Sequence, residues 1–169
     1  MPKINFADNI LPLKDKLFRI ALRITFNPAE AEDIVQDTML RIWNKRDEWS
    51  ELDSVEAFCI TVARNLAIDR SQKKAAQNIP IKDEIAEQLL TSGPHDHLIS
   101  HERLEIVHRL INDLPEKQRT IIQLRDIEGE SYKKIGEVLQ ITEEQVKVYL
   151  FRARQKVRQR YKEIEEYGL

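Results

Sequence analysis

Residues 142–160 carry the side chains best suited to contacting another molecule. Thr142-Glu143-Glu144-Gln145 has the order of a capping box, in which the threonine hydroxyl and the glutamine side chain each satisfy the other residue's backbone amide. Val146, Leu150, Ala153 and Val157 then recur at spacings of four, three and four, which predicts a helix with one buried stripe. The outer face holds Gln145, Lys147, Val148, Phe151 and Arg152, with Arg154 and Lys156 following. Between Lys147 and Lys162 stand seven basic residues and no acidic one. A shorter apolar pattern, Ile135, Val138 and Leu139 behind the capping residue Ser131, precedes this helix with only Gln140-Ile141 between. Two such helices predict a helix-turn-helix whose second helix lies in a DNA major groove, its first turns reaching base edges and its later basic groups meeting phosphates. The candidate DNA contacts are therefore Thr142, Glu144, Gln145, Lys147, Val148, Phe151, Arg152, Arg154 and Lys156. Glu143 and Glu144 oppose phosphate binding, although a carboxylate can accept a hydrogen bond from cytosine. The competing reading is an amphipathic surface helix with a solvated basic face. The capping box, Ile141 as a core plug and the short preceding helix together favour DNA.

Whole-chain composition does not point the same way. The 169 residues have a formal net charge of -2, so the positive charge is segregated rather than abundant. Residues 76–100 contain one basic residue, Lys82, and four acidic ones, Asp83, Glu84, Glu87 and Asp96. Cys59 is the only cysteine, so no disulfide forms within the chain, and it reads as a small core residue. The chain shows no secretory segment and no apolar run long enough to span a bilayer, so a soluble cytoplasmic protein is expected. Few glycines and little strand-type alternation predict an all-α fold.

The elements that position these residues form two groups. A first helix is expected over about 8–25, with Leu13, Leu17, Ile20, Ala21 and Ile24 as its stripe. Asn27 caps a second helix, Pro28 suits its first position and Glu30 can reach back to complete a capping box. That helix buries Ala31, Ile34, Val35, Thr38, Met39 and Ile42, and shows Glu32, Asp33, Gln36 and Asp37 on its other side. Residues 45–53 read as a polar loop interrupted by Trp49. Ser54 caps a third helix to about Lys74, with Val55, Phe58, Val62, Leu66 and in part Ala63 or Cys59 as its core face. Pro80, Ser92, Gly93 and Pro94 mark a linker, with a short helix near 82–90. A fourth helix follows over about 97–112, and Pro115 starts another that runs to about Asp126 before Gly129 ends it. Gly136, inside the first helix of the motif, implies a close approach. The division expected is 1–75, a linker at 76–96, and 97–169: a three-helix bundle and a four-helix domain containing the helix-turn-helix.

Read together, the two halves resemble a bacterial sigma factor of the extracytoplasmic-function type, over about Leu17 to Tyr161. Ala29-Glu30-Ala31-Glu32-Asp33-Ile34-Val35-Gln36-Asp37-Thr38, then Leu40-Arg41-Ile42-Trp43, is similar to that family's core-polymerase-binding helix. Ala57-Phe58 and Ala63-Arg64-Asn65-Leu66-Ala67-Ile68-Asp69 resemble the segment that reads and opens the promoter -10 element. Leu114-Pro115-Glu116-Lys117-Gln118-Arg119 and the helix-turn-helix resemble the region that reads the -35 element. The resemblance implies a protein without an active site or cofactor, which binds core RNA polymerase and promoter DNA. It also implies an anti-sigma partner covering both halves. Glu32, Asp33, Gln36 and Asp37, extended by Leu40 and Arg41, would dock on the polymerase. Arg64 and Asn65 would meet the -10 element, with residues 45–53 placed like the family's pocket for an unstacked base. Trp43 either extends the docking surface or sits in the core, and Trp49 either stacks the unstacked base or folds onto the bundle.

The chain departs from the family pattern at two places. Gln140 stands where the turn often has glycine, which implies a left-handed residue at some cost. Val148 and Tyr149 replace a usual serine and arginine. Val148 suits a thymine methyl, and Tyr149 either meets a phosphate or packs inside. Two rival readings are a stand-alone dimeric helix-turn-helix regulator and a metal enzyme using His95, His97, His101 and His108. The acidic helix and the strand-opening segment oppose the first, and the histidine spacing fits no metal signature. Solvated histidines are expected instead.

Overall fold

The structure, a computed structural model, describes residues 3–77 and 101–167. The described elements are helical, and the chain divides into two compact units, Met1–Lys82 and Asp83–Leu169. The short helix expected near 82–90 and the start of the fourth helix lie outside the described residues.

In the first unit, α1 (Lys14–Thr25), α2 (Pro28–Asn44) and α3 (Val55–Ala76) pack on one another. Their starts follow local chemistry. The Asn27 side chain accepts from the Glu30 amide at 3.1 Å and Pro28 takes the first position of α2; Ser54 accepts from the Ala57 amide at 3.1 Å. Each cap satisfies an amide that the first helical turn leaves without an internal partner. Glu30 does not close a capping box. Its carboxylate pairs with Lys74 at 3.0 Å, while the Asn27 amide faces the Thr25 hydroxyl. A cation from α3 attracts the carboxylate more strongly than a neutral amide does. Phe26 ends α1 in the left-handed region, with φ 55°, and its amide bonds to the Leu22 carbonyl.

Two packing expectations change. The first helix is not continuous from Asp8, because a π turn at Phe6–Ile10 and a 3-10 turn at Leu11–Leu13 precede α1. Pro12 supplies no amide to an α-helical ladder, and Asn5 caps the π turn by accepting from the Ala7 amide. In α3 the buried residues are Ala57, Cys59, Ile60, Ala63 and Ala67, whereas Val55, Phe58, Val62 and Leu66 are half-buried. The neighbouring helices lie against the small side chains, so Cys59 and Ala63 of the expected face lie in the true contact and its larger residues sit beside it.

Cys59 is fully buried in this layer, as expected. Burial, aided by the nearby Glu56 carboxylate, pushes its thiol from 9.0 up to about 12. The unfolded thiol ionises near pH 9 while the folded one keeps its proton, so this group's contribution to stability is full below that pH and is lost as pH rises toward 12. Iodoacetamide at pH 8.5 is expected to alkylate the native protein at least ~10-fold more slowly than the urea-unfolded chain. Equal rates would contradict a protected thiol.

The second unit contains α4 (His101–Asn112), α5 (Glu116–Ile122), α6 (Tyr132–Leu139) and α7 (Glu143–Tyr167). The helix expected to reach Asp126 becomes a π turn at Gln123–Ile127, ended by Gly129 with φ 74°. Helices α4, α5 and α6 each pack against α7, whose Val146, Leu150 and Ala153 are buried as the period predicts, while Val157 is only half-buried. His108 is buried rather than solvated, because it falls on the packed face of α4 with Leu110 and Ile111; His101 is exposed, and His95 and His97 lie outside the described residues. No described helix is long and apolar enough to cross a membrane.

Candidate nucleic-acid interface

The recognition helix is held at its start by the expected reciprocal bonds. The Gln145 amide donates to the Thr142 hydroxyl at 3.1 Å, and the Thr142 amide donates to the Gln145 Oε1 at 2.9 Å. Helix α6 ends with Gln140 in the left-handed region, φ 56°, as its missing glycine implied. The Gln140 and Ile141 amides both donate to the Gly136 carbonyl, which closes the turn with the 5→1 bond of an αL cap and the 6→1 bond of a Schellman motif. The close approach at Gly136 is to this turn: a Cβ there would stand 2.7 Å from the Ile141 carbonyl oxygen. The tight turn fixes where α7 begins, and hence which of its residues face outward.

Thr142, Glu144, Gln145, Lys147, Arg152 and Lys156 are exposed. Val148 and Phe151 are 47% and 64% exposed, an apolar pair three residues apart on a polar face. Tyr149 is half-buried, its ring under the Lys117 ammonium at 5.3 Å. Lys147 sits 3.6 Å from Glu144 and over the Tyr132 ring at 5.6 Å, so its charge is partly answered within the protein. Arg125 stacks on the same ring at 4.2 Å and donates to the Glu130 carbonyl. Arg154 differs from the other basic residues. Its guanidinium forks onto the Asp126 carboxylate, with Nε to Oδ2 at 3.0 Å and a second bond from Nη2 to Oδ1. That pairing raises the guanidinium pKa further and ties α7 to the π turn. Asp126, Arg125 and Tyr132 were not legible as part of this surface. Asp126 lies 28 residues from Arg154, beyond any local period.

In the first unit Glu32, Asp33, Gln36, Leu40 and Arg41 are exposed along one side of α2, and Asp37 is half-buried. Asp33 pairs with Arg70 at 3.6 Å and Asp37 with Arg41 at 3.9 Å. Leu40 is 59% and Trp43 47% exposed, large apolar groups on an otherwise polar helix face. Asn65 is exposed and Arg64 half-buried on α3. In the segment 45–53, residues Arg46–Glu51 form a 3-10 turn whose one buried side chain is Trp49. Its indole N–H donates to the Ile42 carbonyl at 3.0 Å, so Trp49 folds onto the bundle. The structure thus groups the acidic face on α2 and, separately, the basic face on α7.

Two small helical units, the second ending in a capped and basic recognition helix, define a two-module helix-turn-helix protein. Residues 10–77 match the Sigma-70 region 2 family and residues 104–157 match Sigma-70, region 4. The chain is 31% identical over 169 residues to the ECF RNA polymerase sigma factor SigW of Bacillus subtilis, covering 94% of this chain and 90% of that one. It is 30% identical over 132 residues to the ECF sigma factor SigF of Caulobacter vibrioides, covering 78% of this chain and 70% of the relative. Among solved structures, the sigma factor RpoE of Bartonella quintana, in complex with the anti-sigma factor NepR, superposes with a TM-score of 0.72 at 22% identity, covering 91% of this chain and 94% of that chain. The chain belongs to the extracytoplasmic-function family of RNA polymerase sigma factors. It is a promoter-directing subunit that works with core RNA polymerase, rather than a stand-alone regulator.

Proposed function

We propose a division of labour within that activity. Glu32, Asp33, Gln36, Asp37, Leu40 and Arg41 dock on core polymerase. Arg64 and Asn65 meet the -10 element, and the loop at 45–53 receives an unstacked base. Helix α7 reads the -35 element through Gln145, Lys147 and Val148, with Thr142 and Glu144 at its entrance. Arg152, Arg154 and Lys156 meet phosphates, and Phe151 packs against the backbone sugars. The domains are 1–75 and 97–169, joined by an acidic linker at 76–96. The observation that carries this reading is the capped start of α7, which leaves an outward face of base-reading residues followed by cations. The chain acts by binding alone, without a catalytic centre or cofactor.

Run-off transcription with core polymerase tests the whole reading. Core-dependent initiation with an open bubble is expected, whereas binding to a palindromic operator without core would defeat it. Arg152→Ala is expected to weaken -35 binding across sequences and to reduce the slope of log affinity against log salt by about 0.9, one phosphate contact. An unchanged slope would remove Arg152 from the phosphate set. Arg154→Ala should act through two effects, since it also frees the Asp126 carboxylate beside the DNA face.

Two solved structures of similar fold, RpoE and CnrH, are complexes with the anti-sigma factor NepR and with the cytosolic domain of CnrY, respectively. An anti-sigma partner covering both halves is proposed here as well. A native pull-down that yields polymerase subunits and nothing else would count against it.

A further inference from the structure

The chain before α1 is a built element rather than a frayed end. Asn5 accepts from the Ala7 amide at 2.9 Å, its own amide donates to the Asn9 Oδ1 at 2.7 Å, and the Asn9 amide returns to the Asn5 carbonyl. Ile10 is fully buried, which pins the turn to the bundle. These bonds set Phe6 against two rings that lie far along the sequence. Phe6 meets the edge of Trp43 at 5.5 Å and 81°, and lies near-parallel to Trp49 at 6.5 Å and 17°. The tryptophans meet each other at 6.4 Å, and the Arg46 guanidinium covers Trp43 at 4.7 Å. All three ring pairs have the separations at which aromatic side chains attract.

The consequence falls on the 3-10 turn. Of Arg46–Glu51 only Trp49 is buried; Arg46, Asp47, Glu48, Ser50 and Glu51 all face solvent. The shape of this segment therefore depends on how Trp49 is held. One hold is the indole bond to the Ile42 carbonyl, and another is the ring of Phe6. A single hydrogen bond fixes the indole nitrogen but leaves the ring a pivot, and a ring stacked on its face opposes that rotation.

We propose that the N-terminal turn at residues 5–13 is a positioning element for the loop at residues 45–53, with Phe6 as the positioning residue that holds Trp49. The loop is thereby kept in one shape before promoter DNA arrives, so less ordering is needed when an unstacked base is captured. This rests on the reading that the loop receives such a base.

The test uses full-length protein assembled with core polymerase and a short single-stranded oligonucleotide selected from a random pool by the wild-type holoenzyme. Phe6→Ala is expected to assemble with core as wild type does, yet to bind the oligonucleotide about 10-fold more weakly, in keeping with the loss of two ring contacts. Phe6→Tyr, which keeps the ring, should restore binding. The double variant Asp47→Ala/Ser50→Ala, on the exposed loop surface, separates the two ideas. If it loses oligonucleotide binding while Phe6→Ala stays within 2-fold of wild type, the positioning role is wrong and the loop reading stands. If the loop variant binds normally, the loop reading fails and the proposal falls with it. Parallel loss of core assembly and oligonucleotide binding in Phe6→Ala would also overturn it, since that pattern marks general destabilisation.

Discussion

Trp49→Ala is expected to lower the stability of the first unit by about 3–5 kcal/mol, the usual range for deleting a buried aromatic side chain. Trp49 is buried, bonds through its indole N–H to the Ile42 carbonyl, and touches the rings of Phe6 and Trp43. Alanine would leave a cavity where the 3-10 turn, α2 and the N-terminal turn converge. Trp49→Phe should cost much less, about 1 kcal/mol for the lost hydrogen bond, because the Ile42 carbonyl keeps the Lys45 amide as a donor. Both tryptophans of the chain lie in the first unit, so Trp43 fluorescence during urea unfolding of these variants reports on that unit alone. A loss below ~1 kcal/mol for the alanine variant would mean that Trp49 is not the anchor of its loop.

Gly136→Ala should destabilise the helix-turn-helix by about 2 kcal/mol, although alanine favours helix by roughly 1 kcal/mol over glycine. The new methyl would stand 2.7 Å from a backbone oxygen, that of Ile141, which cannot rotate away as a side-chain tip would. Moving Ile141 strains the turn by about 1–3 kcal/mol and weakens its 3.0 Å bond to the Gly136 carbonyl. The displacement passes directly to Thr142 and so to the direction of α7. A drop in -35 DNA affinity should therefore accompany faster hydrogen exchange of the α6 and α7 amides. Gln140→Gly should move stability the other way, by up to about 1 kcal/mol, because glycine adopts the left-handed conformation without a Cβ penalty. Increased stability in Gly136→Ala would refute the steric account.

Much of the recognition surface was legible because its signals are local. A cap joins residues three apart, so Ser54, Ser131 and Thr142 were identifiable without tertiary information, and each makes its bond. The left-handed Gln140 followed from the resemblance, since the family's turn often has glycine at that position. The residues that steady that surface were not legible in the same way. Arg154 looked like one more cation in a basic row, and only the fold sets it against Asp126. Lys147 and Arg125 likewise share Tyr132, although no sequence period relates the three.

By itself, the sequence determined the helical periods, the caps, the order of the two modules and the family they define. All of these depend on neighbours within a turn or two, or on motifs read in order along the chain. Tertiary structure alone decided that the small residues of α3 rather than its large ones take the buried face, that His108 turns inward, that Trp49 folds onto the bundle and that Phe6 meets it. The physical reason is the same in each case. Burial goes to the side chains nearest a packing neighbour, and small residues such as Ala63 and Ala67 allow that approach while carrying little apolar weight in a periodic pattern. Ring contacts and ion pairs between distant residues arise only after that packing has set the distances.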